Sequence, residues 1–327
     1  MNWQGKRVLV TGAGGFIGSH LAEKLVDCGA TVRAFVHYNA LGSWGWLDQS
    51  HHKDDIEVMA GDISDYGSVL NATQSIDMVF HLAALIAIPY SYVAPNSYVQ
   101  TNIIGTLNVL QAARALGTQR IIHTSTSETY GTARYVPIDE NHPLQGQSPY
   151  SASKIGADKI VESFYLSFNV PVVTVRPFNT FGPRQSARAV IPTIITQALS
   201  GQSIKLGSVS PTRDLNYVAN TTDGFIKAAE AENVAGSIFN IGSGREISVG
   251  DLAQLIGKLV GKELIIETDP HRLRPTKSEV ERLLADNRQA RALLRWEPTV
   301  SLEEGLQATI EWMQAHLERY RLGVYVI

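Results

Sequence analysis

A single cysteine, Cys28, stands in a chain of 327 residues, which excludes an intrachain disulfide framework. Excess charge is equally scarce. The 28 Lys and Arg nearly balance the 31 Asp and Glu, and a formal net charge of −3 gives no sign of a nucleic-acid surface. No apolar run approaches the roughly 18–20 residues of a membrane span. Met1-Asn-Trp-Gln-Gly-Lys-Arg7 has neither the apolar core nor the cleavage site of an export signal. Repeats, linkers and low-complexity tracts are also missing. His51-His52 finds no matching set of ligands elsewhere, so a solvated loop is expected there and no metal. These absences leave a soluble cytoplasmic enzyme as the simplest class, with no nucleic-acid or membrane partner. The 44% of hydrophobic residues is ample for a buried core.

What is present is alternation. Val8–Val10, Val32–Val36, Ile56–Met59, Met78–Phe80, Ile121–Ile122 and Val172–Val175 read as buried parallel strands. Amphipathic stretches at Ile17–Asp27, Ser97–Leu116 and Ser151–Phe168 lie between them and read as helices. The pattern predicts an α/β fold, a Rossmann-like doubly wound parallel sheet. After Pro177 the texture changes: Ile191–Leu199 reads as a helix, Ile204–Leu206 as a strand, and Phe239–Ile241 as a return to the main sheet. From Ile247 onward the chain reads as mostly helical. The expected division is a dinucleotide-binding domain over 1–180, with 213–242 returning to it. Residues 181–212 and 243–327 then form a smaller mixed α/β substrate lobe over the C-terminal strand ends, where such sheets bind ligands.

The first strand runs into Thr11-Gly12-Ala-Gly-Gly15-Phe16-Ile17-Gly18. Gly12 permits a tight turn, Gly15 lets a pyrophosphate reach the backbone, and Gly18 lets the helix pack close to the strand. Phe16 and Ile17 open a helix whose free N–H groups face the phosphates. The acid that usually meets the ribose at the end of the second strand is missing; His37 and Asn39 stand there instead. Asn39 suits the ribose hydroxyls, and His37 or Arg33 would tolerate a 2′-phosphate, so NAD and NADP both stay open. Asp62-Ile63 follows the third strand, as an adenine contact or as a helix N-cap. Leu82-Ala83-Ala84 supplies small residues against which a flat cofactor can lie. Thr124 heads a Ser/Thr cluster beside the same cofactor.

Tyr150 and Lys154 are four residues apart and share one helix face. The ammonium can lower the phenol pKa, and Tyr150 can then act as base toward an alcohol, with Thr126 bonded to the reacting oxygen. Glu128 is a carboxylate that a plain alcohol dehydrogenase does not need.

The glycine turn, His81-Leu-Ala-Ala84, Ser125-Thr-Ser-Glu-Thr-Tyr-Gly131, Tyr150-x-x-x-Lys154 and Arg176-Pro-Phe-Asn179, in this order, resemble the extended short-chain dehydrogenase/reductases. The stretch around Glu128 resembles the nucleotide-sugar 4,6-dehydratases and the glucuronate decarboxylases more than the 4-epimerases. Ser210–Tyr217 and Arg274–Val280 resemble the N-acetylglucosamine-nucleotide 4,6-dehydratases of the legionaminic-acid type. The resemblance implies that an NDP-N-acetylglucosamine (UDP or GDP) is oxidised at C4, deprotonated at C5 by Glu128, stripped of water and reduced at C6, with tightly bound NAD regenerated in each turnover. It also implies Ile86, Thr126, Asn179, Arg213 and Arg274 as substrate contacts, the two arginines on the diphosphate, and a homodimer through helices near 97–116 and 151–168. One departure is plain. dTDP-glucose dehydratases carry Asp-Glu where this chain has Ser127-Glu128, and Ser127 is a poor acid for the leaving hydroxyl. A 4-epimerase, a UDP-glucuronate decarboxylase and, more remotely, a non-catalytic dinucleotide binder are the alternatives.

Overall fold

The computed structural model describes residues 2–320; Met1 of the first domain range and residues 321–327 of the lobe range lie outside the described residues. The chain runs β1 (Arg7–Thr11), α1 (Phe16–Asp27), β2 (Thr31–His37), β3 (Glu57–Gly61), α2 (Tyr66–Thr73), β4 (Met78–His81), α3 (Ile88–Val93), α4 (Pro95–Tyr98), α5 (Gly105–Leu116), β5 (Arg120–Thr124), α6 (Pro149–Phe168), β6 (Val172–Pro177) and β7 (Asn179–Phe181). It continues through α7 (Val190–Ser200), β8 (Ser203–Leu206), β9 (Thr212–Tyr217), α8 (Val218–Glu230), β10 (Ile238–Ile241), β11 (Glu246–Ser248), α9 (Val249–Leu259), β12 (Ile265–Thr268) and α10 (Leu302–Ala315).

Seven of these strands form one sheet in the order β3-β2-β1-β4-β5-β6-β10, every pair parallel. Alternation along β1 shows why both faces are covered. Val8 and Val10 pack into one core with Leu21 and Leu25 of α1 and Phe225 of α8. Leu9, between them, packs into the opposite core with Val69 of α2, Val109 of α5 and Val161 of α6. Period-two burial on both faces is what a doubly wound sheet requires. The order reverses direction between β1 and β4, which opens a crevice at their C-terminal ends.

The helix expected over Ser97–Leu116 is interrupted by a π-helical turn at Val99–Ile104. The extra residue turns Asn102 inward. Its side chain accepts from Leu85 N–H (2.9 Å) and donates to Leu85 O (3.0 Å) and Ser153 Oγ (2.9 Å). The bulge thus pegs the loop after β4 to α6, a use typical of π-turns. Ser148 caps α6, its hydroxyl receiving Ser151 N–H at 3.1 Å, with Pro149 at the first helical position.

The smaller lobe holds a three-stranded sheet, β11-β9-β7, and a parallel pair, β8 with β12. Within residues 213–242, α8 and β10 pack on the main sheet, while 213–217 belong to β9 and pair with β7 and β11. The expectation of a mostly helical chain beyond Ile247 needs correction. Between α9 and α10 the chain forms β12, two short 3-10 turns and a π-turn. Pro270, Pro275 and Pro298 deny that stretch a continuous helix, and the β-branched Ile265-Ile266 find β8 as a partner.

Candidate active site

A cavity of about 1160 Å³ lies over the C-terminal ends of β1, β4, β5 and β6, roofed by the lobe. It exceeds the ~300–1,000 Å³ of an ordinary small-ligand pocket, so it has room for two molecules.

Its floor on one side is the glycine turn. Gly12 sits at φ +70°, and a Cβ there would meet Ala83 N at 2.8 Å. A Cβ on Gly18 would lie 2.2 Å from Gly12 O, whereas one on Gly15 would meet only Gly12 O, at 3.2 Å, and otherwise project into open space. Gly18 therefore serves packing, and Gly15 leaves the face of the turn bare for a ligand. Gly18→Ala is expected to destabilise the protein by at least ~2 kcal/mol and to open the turn, because backbone must move. A melting curve matching wild type would contradict this.

His81 fixes the neighbouring strand ends. Its ring is hydrogen-bonded to Thr11 Oγ1 (2.8 Å) and Thr106 Oγ1 (3.0 Å), and Thr11 Oγ1 accepts from Leu82 and Ala83 N–H. Burial first, then the neighbouring charges of His123 and Lys154, hold this imidazole well below its usual range, so it acts as a neutral beam.

Phe16, Ile17, His37, Asn39, Leu82, Ala83, Ala84 and Thr124 all line the cavity. Asn39 also shapes its wall: it accepts from Leu41 and Ser43 N–H and donates to Ser43 O. Arg33 is elsewhere, donating to Ala72 O and Gln74 O and paired with Glu57, so it has no place near a 2′-phosphate. Asp62 and Ile63 do not border the cavity. Asp62 Oδ1 accepts from Ser64 N–H (2.8 Å) and Oγ (2.7 Å), and Ile63 is buried against Gly105. Nor is Asp62 a helix cap; Asp65 caps α2.

The loop after β2 supplies a further part of the wall. Trp46 N–H donates to Gly14 O at 3.0 Å, and Trp44 borders the cavity. The Trp46 ring meets Trp312 of α10 edge-on at 5.4 Å and Arg319 at 5.2 Å. Two tryptophans around a glycine were the available signal. His52, in the turn that follows, also has a partner from outside its loop. Its ring nitrogens lie 2.7 Å from Asp27 and 3.0 Å from Asp55, and Asp27, His51 and His52 bring ligand atoms within 4.8 Å of one another. Spacing along the chain does not reveal that Asp27 ends α1 beside them.

Across the cavity stand Thr126, Ser127, Glu128, Tyr150 and Lys154, all buried and all at its wall. Glu128 N–H donates to Thr126 Oγ1 at 3.2 Å, which starts the 3-10 turn Ser127–Tyr130. Burial pushes the Tyr150 phenol up; the Thr126 hydroxyl, hydrogen-bonded to it, opposes that, and the Glu128 charge adds to it. Lys154 Nζ donates to Thr124 O at 2.6 Å. One turn further along α6, Asp158 accepts from Ser125 Oγ (2.8 Å), His123 Nε2 (3.1 Å) and Arg176 Nη2 (2.9 Å). Burial would raise that carboxyl, but the His123 bond and the Arg176 charge hold it below the usual carboxylate range. Asp158 is thus a fixed anion behind Lys154 and pins the end of β5.

Burial brings the Lys154 ammonium down to about 8 from 10.5, against the opposing pull of Asp158. A lysine whose folded value lies below its free value destabilises the fold while it is charged. The penalty is present in full below about pH 8 and is relieved as pH rises toward the free value. The gap corresponds to about 3 kcal/mol. In the cofactor-free protein, Lys154→Met is expected to melt about 3–5 °C higher near neutral pH, with the gain fading as pH approaches the free lysine value. A lower melting point would contradict this reading.

On the lobe side, Ile86, Asn179, Arg213 and Arg274 border the same cavity. Asn179 Oδ1, Thr124 Oγ1, Gln185 Oε1 and Arg274 Nη1 are buried without a hydrogen-bond partner. Buried polar atoms are rarely orphaned, so a cluster of four at one cavity points to a bound polar ligand. Arg213 Nη2 reaches Glu279 Oε1 at 3.2 Å, and Arg274 Nη1 lies 3.6 Å from the same oxygen. Glu279 was not singled out from the sequence, although it belongs to the Arg274–Val280 stretch that was.

The family model described as GDP-mannose 4,6 dehydratase matches residues 9–309. The chain belongs to that family. It is 33% identical to a UDP-glucose 4-epimerase of Mycolicibacterium smegmatis over 94% of this chain and 98% of that one. It is 31% identical to UDP-glucuronic acid decarboxylase 1 of Danio rerio, over 98% of this chain and 76% of the relative. The structure of a dTDP-glucose 4,6-dehydratase from Streptomyces venezuelae with NAD bound superposes with a TM-score of 0.87 at 27% identity, covering 96% of this chain and 99% of that one. Family members are thus nucleotide-sugar dehydratases, epimerases and decarboxylases on one parallel-sheet scaffold.

Proposed function

We propose that the protein is a nucleotide-sugar 4,6-dehydratase that uses tightly held NAD and acts on an NDP-N-acetylglucosamine, with uridine or guanosine as the nucleoside. The observation that carries this reading is Glu128, a buried carboxylate facing the same cavity as Thr126, Tyr150 and Lys154. A 4-epimerase has no step for it. The residues at the glycine turn fit the dinucleotide: a bare Gly15, the N-terminus of α1, and Asn39 at the ribose end. Bound NAD supplies the oxidant at C4 and returns the same electron pair at C6.

The chain's own residues do the rest. Tyr150, its phenolate favoured by the Lys154 cation, takes the C4 hydroxyl proton while Thr126 holds that oxygen. The ketone at C4 acidifies C5–H, and Glu128 removes that proton. The C6 hydroxyl departs as water, and as the electron pair returns to C6, C5 takes a proton from solvent while Tyr150 releases the one it took, so the net change is loss of one water. Ser127 is no acid, so we assign the proton delivered to that hydroxyl to Glu128 itself, which has just received one. Arg213, Arg274 and Asn179 hold the diphosphate and its phosphate–sugar link, and Ile86 packs on the sugar. Residues 1–180 hold the cofactor in this scheme and the lobe holds the substrate.

A second reading has one observation in its favour. Arg213 and Glu128 border the same cavity, and a C6 carboxylate would find a cation there, as uronate decarboxylation needs. Incubation of the purified protein with UDP-N-acetylglucosamine, GDP-N-acetylglucosamine and UDP-glucuronate, each followed by mass spectrometry, separates the two. Loss of one water from an N-acetylglucosamine nucleotide supports the dehydratase; loss of carbon dioxide from the glucuronate moves the protein to the decarboxylases.

We also propose a cytoplasmic homodimer. Exposed Val99 before α5, with Leu166 and Phe168 at the end of α6, supports a shared helical face. Among the described residues, no helix is long and apolar enough to cross a membrane.

A further inference from the structure

Two cavity arginines from different parts of the lobe converge on a single carboxylate oxygen. Arg213, on β9, is buried; its Nη1 donates to Thr212 O (2.9 Å) and its Nη2 to Glu279 Oε1 (3.2 Å). Arg274 brings its Nη1 to 3.6 Å from the same oxygen, an ion pair too long for a hydrogen bond, and that nitrogen is buried with no hydrogen-bond partner. Glu279 also borders the cavity. Its backbone is anchored separately, since its carbonyl accepts from Gln147 Nε2 (3.2 Å) and Thr132 Oγ1 (3.4 Å). Its Oε1 also accepts from Val280 N–H at 3.2 Å, a bond within its own turn. The side chain can therefore leave the arginines at the loss of that one backbone bond, without unfolding the loop that carries it.

We propose that Glu279 is an internal stand-in for the ligand's diphosphate, an anion that the incoming ligand must displace from Arg213 and Arg274. This rests on the nucleotide-sugar reading of the cavity and deepens it. A pair of guanidiniums alone presents two positive charges; with Glu279 seated between them the site presents one. A single anion gains little by exchanging for the carboxylate. A diphosphate, with two charges and several oxygens, meets both forks and satisfies the idle Arg274 Nη1. Glu279 thus trades affinity for selectivity: it weakens binding of every anion and weakens that of singly charged ones most. It also keeps two clustered cations from repelling each other when the site holds no ligand.

The test is calorimetric titration of the NAD-loaded protein with UDP and with GDP, in wild type, Glu279→Gln and Glu279→Ala. Loss of one competing ion pair is expected to tighten binding of the preferred nucleoside diphosphate about tenfold in both variants. KM for the sugar nucleotide should fall by a similar factor without a rise in kcat. A residue that merely braced the arginines would give the opposite sign, since its removal would loosen the clamp. Unchanged or weaker binding in both variants of a protein that does bind nucleoside diphosphate overturns the proposal alone. Absence of binding by wild type and variants alike overturns the nucleotide-sugar reading and the proposal together.

Discussion

Glu128→Gln is expected to lower formation of the dehydrated product by about 10³-fold or more, the scale of a lost general base, while NAD binding stays as in wild type. The amide has the shape of the carboxylate but accepts no proton. The fold should not notice the change, because the bond that starts the 3-10 turn at this position comes from the Glu128 backbone N–H to Thr126 Oγ1 and not from its side chain. In the proposed mechanism, oxidation at C4 precedes the step that Glu128 serves. The variant should therefore still oxidise the sugar, and mixing it with substrate should leave the cofactor reduced. Absorbance of reduced nicotinamide, read against product mass, separates a block at C5 from a general loss of activity. Dehydration at an undiminished rate would remove Glu128 from the mechanism.

Tyr150→Phe should act one step earlier. Without the phenol oxygen there is no base for the C4 hydroxyl, and neither reduced cofactor nor product should form; a fall of about 10³–10⁴ is expected. Tyr150 is buried, and burial raises its phenol, so at neutral pH it becomes a base only where a cation offsets that penalty. Lys154, one turn along α6 and bonded to Thr124 O, is the cation we assign to that role. Because the two steps are sequential, Glu128→Gln added to Tyr150→Phe should change nothing further. Normal turnover by Tyr150→Phe would refute its role as base. Reduced cofactor in that variant would show that another group takes the C4 proton.

The central strands were legible because they are buried almost along their whole length and written in apolar residues, as β1 and β4 show. The glycine turn was legible because Gly12 and Gly18 answer to backbone sterics, which no other residue satisfies there. Tyr150 and Lys154 were found together because helix periodicity converts their spacing into a shared face. The π-turn at Val99–Ile104 was not legible, since one extra residue leaves an amphipathic pattern almost unchanged, and its purpose is a distant partner, Leu85. The stretch between α9 and α10 was misread because its strand pairs with β8, some sixty residues earlier in the chain. Asp62 fits an adenine contact and a helix cap equally in sequence; in the structure Asp65 caps α2, and Asp62 Oδ1 accepts from Ser64. Glu279 was missed for a similar reason, because its significance lies in Arg213, which only folding brings beside it.

The most direct measurement is the mass of the product formed in deuterium oxide from the preferred N-acetylglucosamine nucleotide. A sugar nucleotide that has lost one water and gained one deuterium, at C5, with none at C6, is the result expected. That pattern requires solvent exchange at the carbon deprotonated by Glu128 and internal return of the electron pair to C6. A product with unchanged mass and no deuterium, differing only in configuration at C4, would contradict it and make the protein a 4-epimerase.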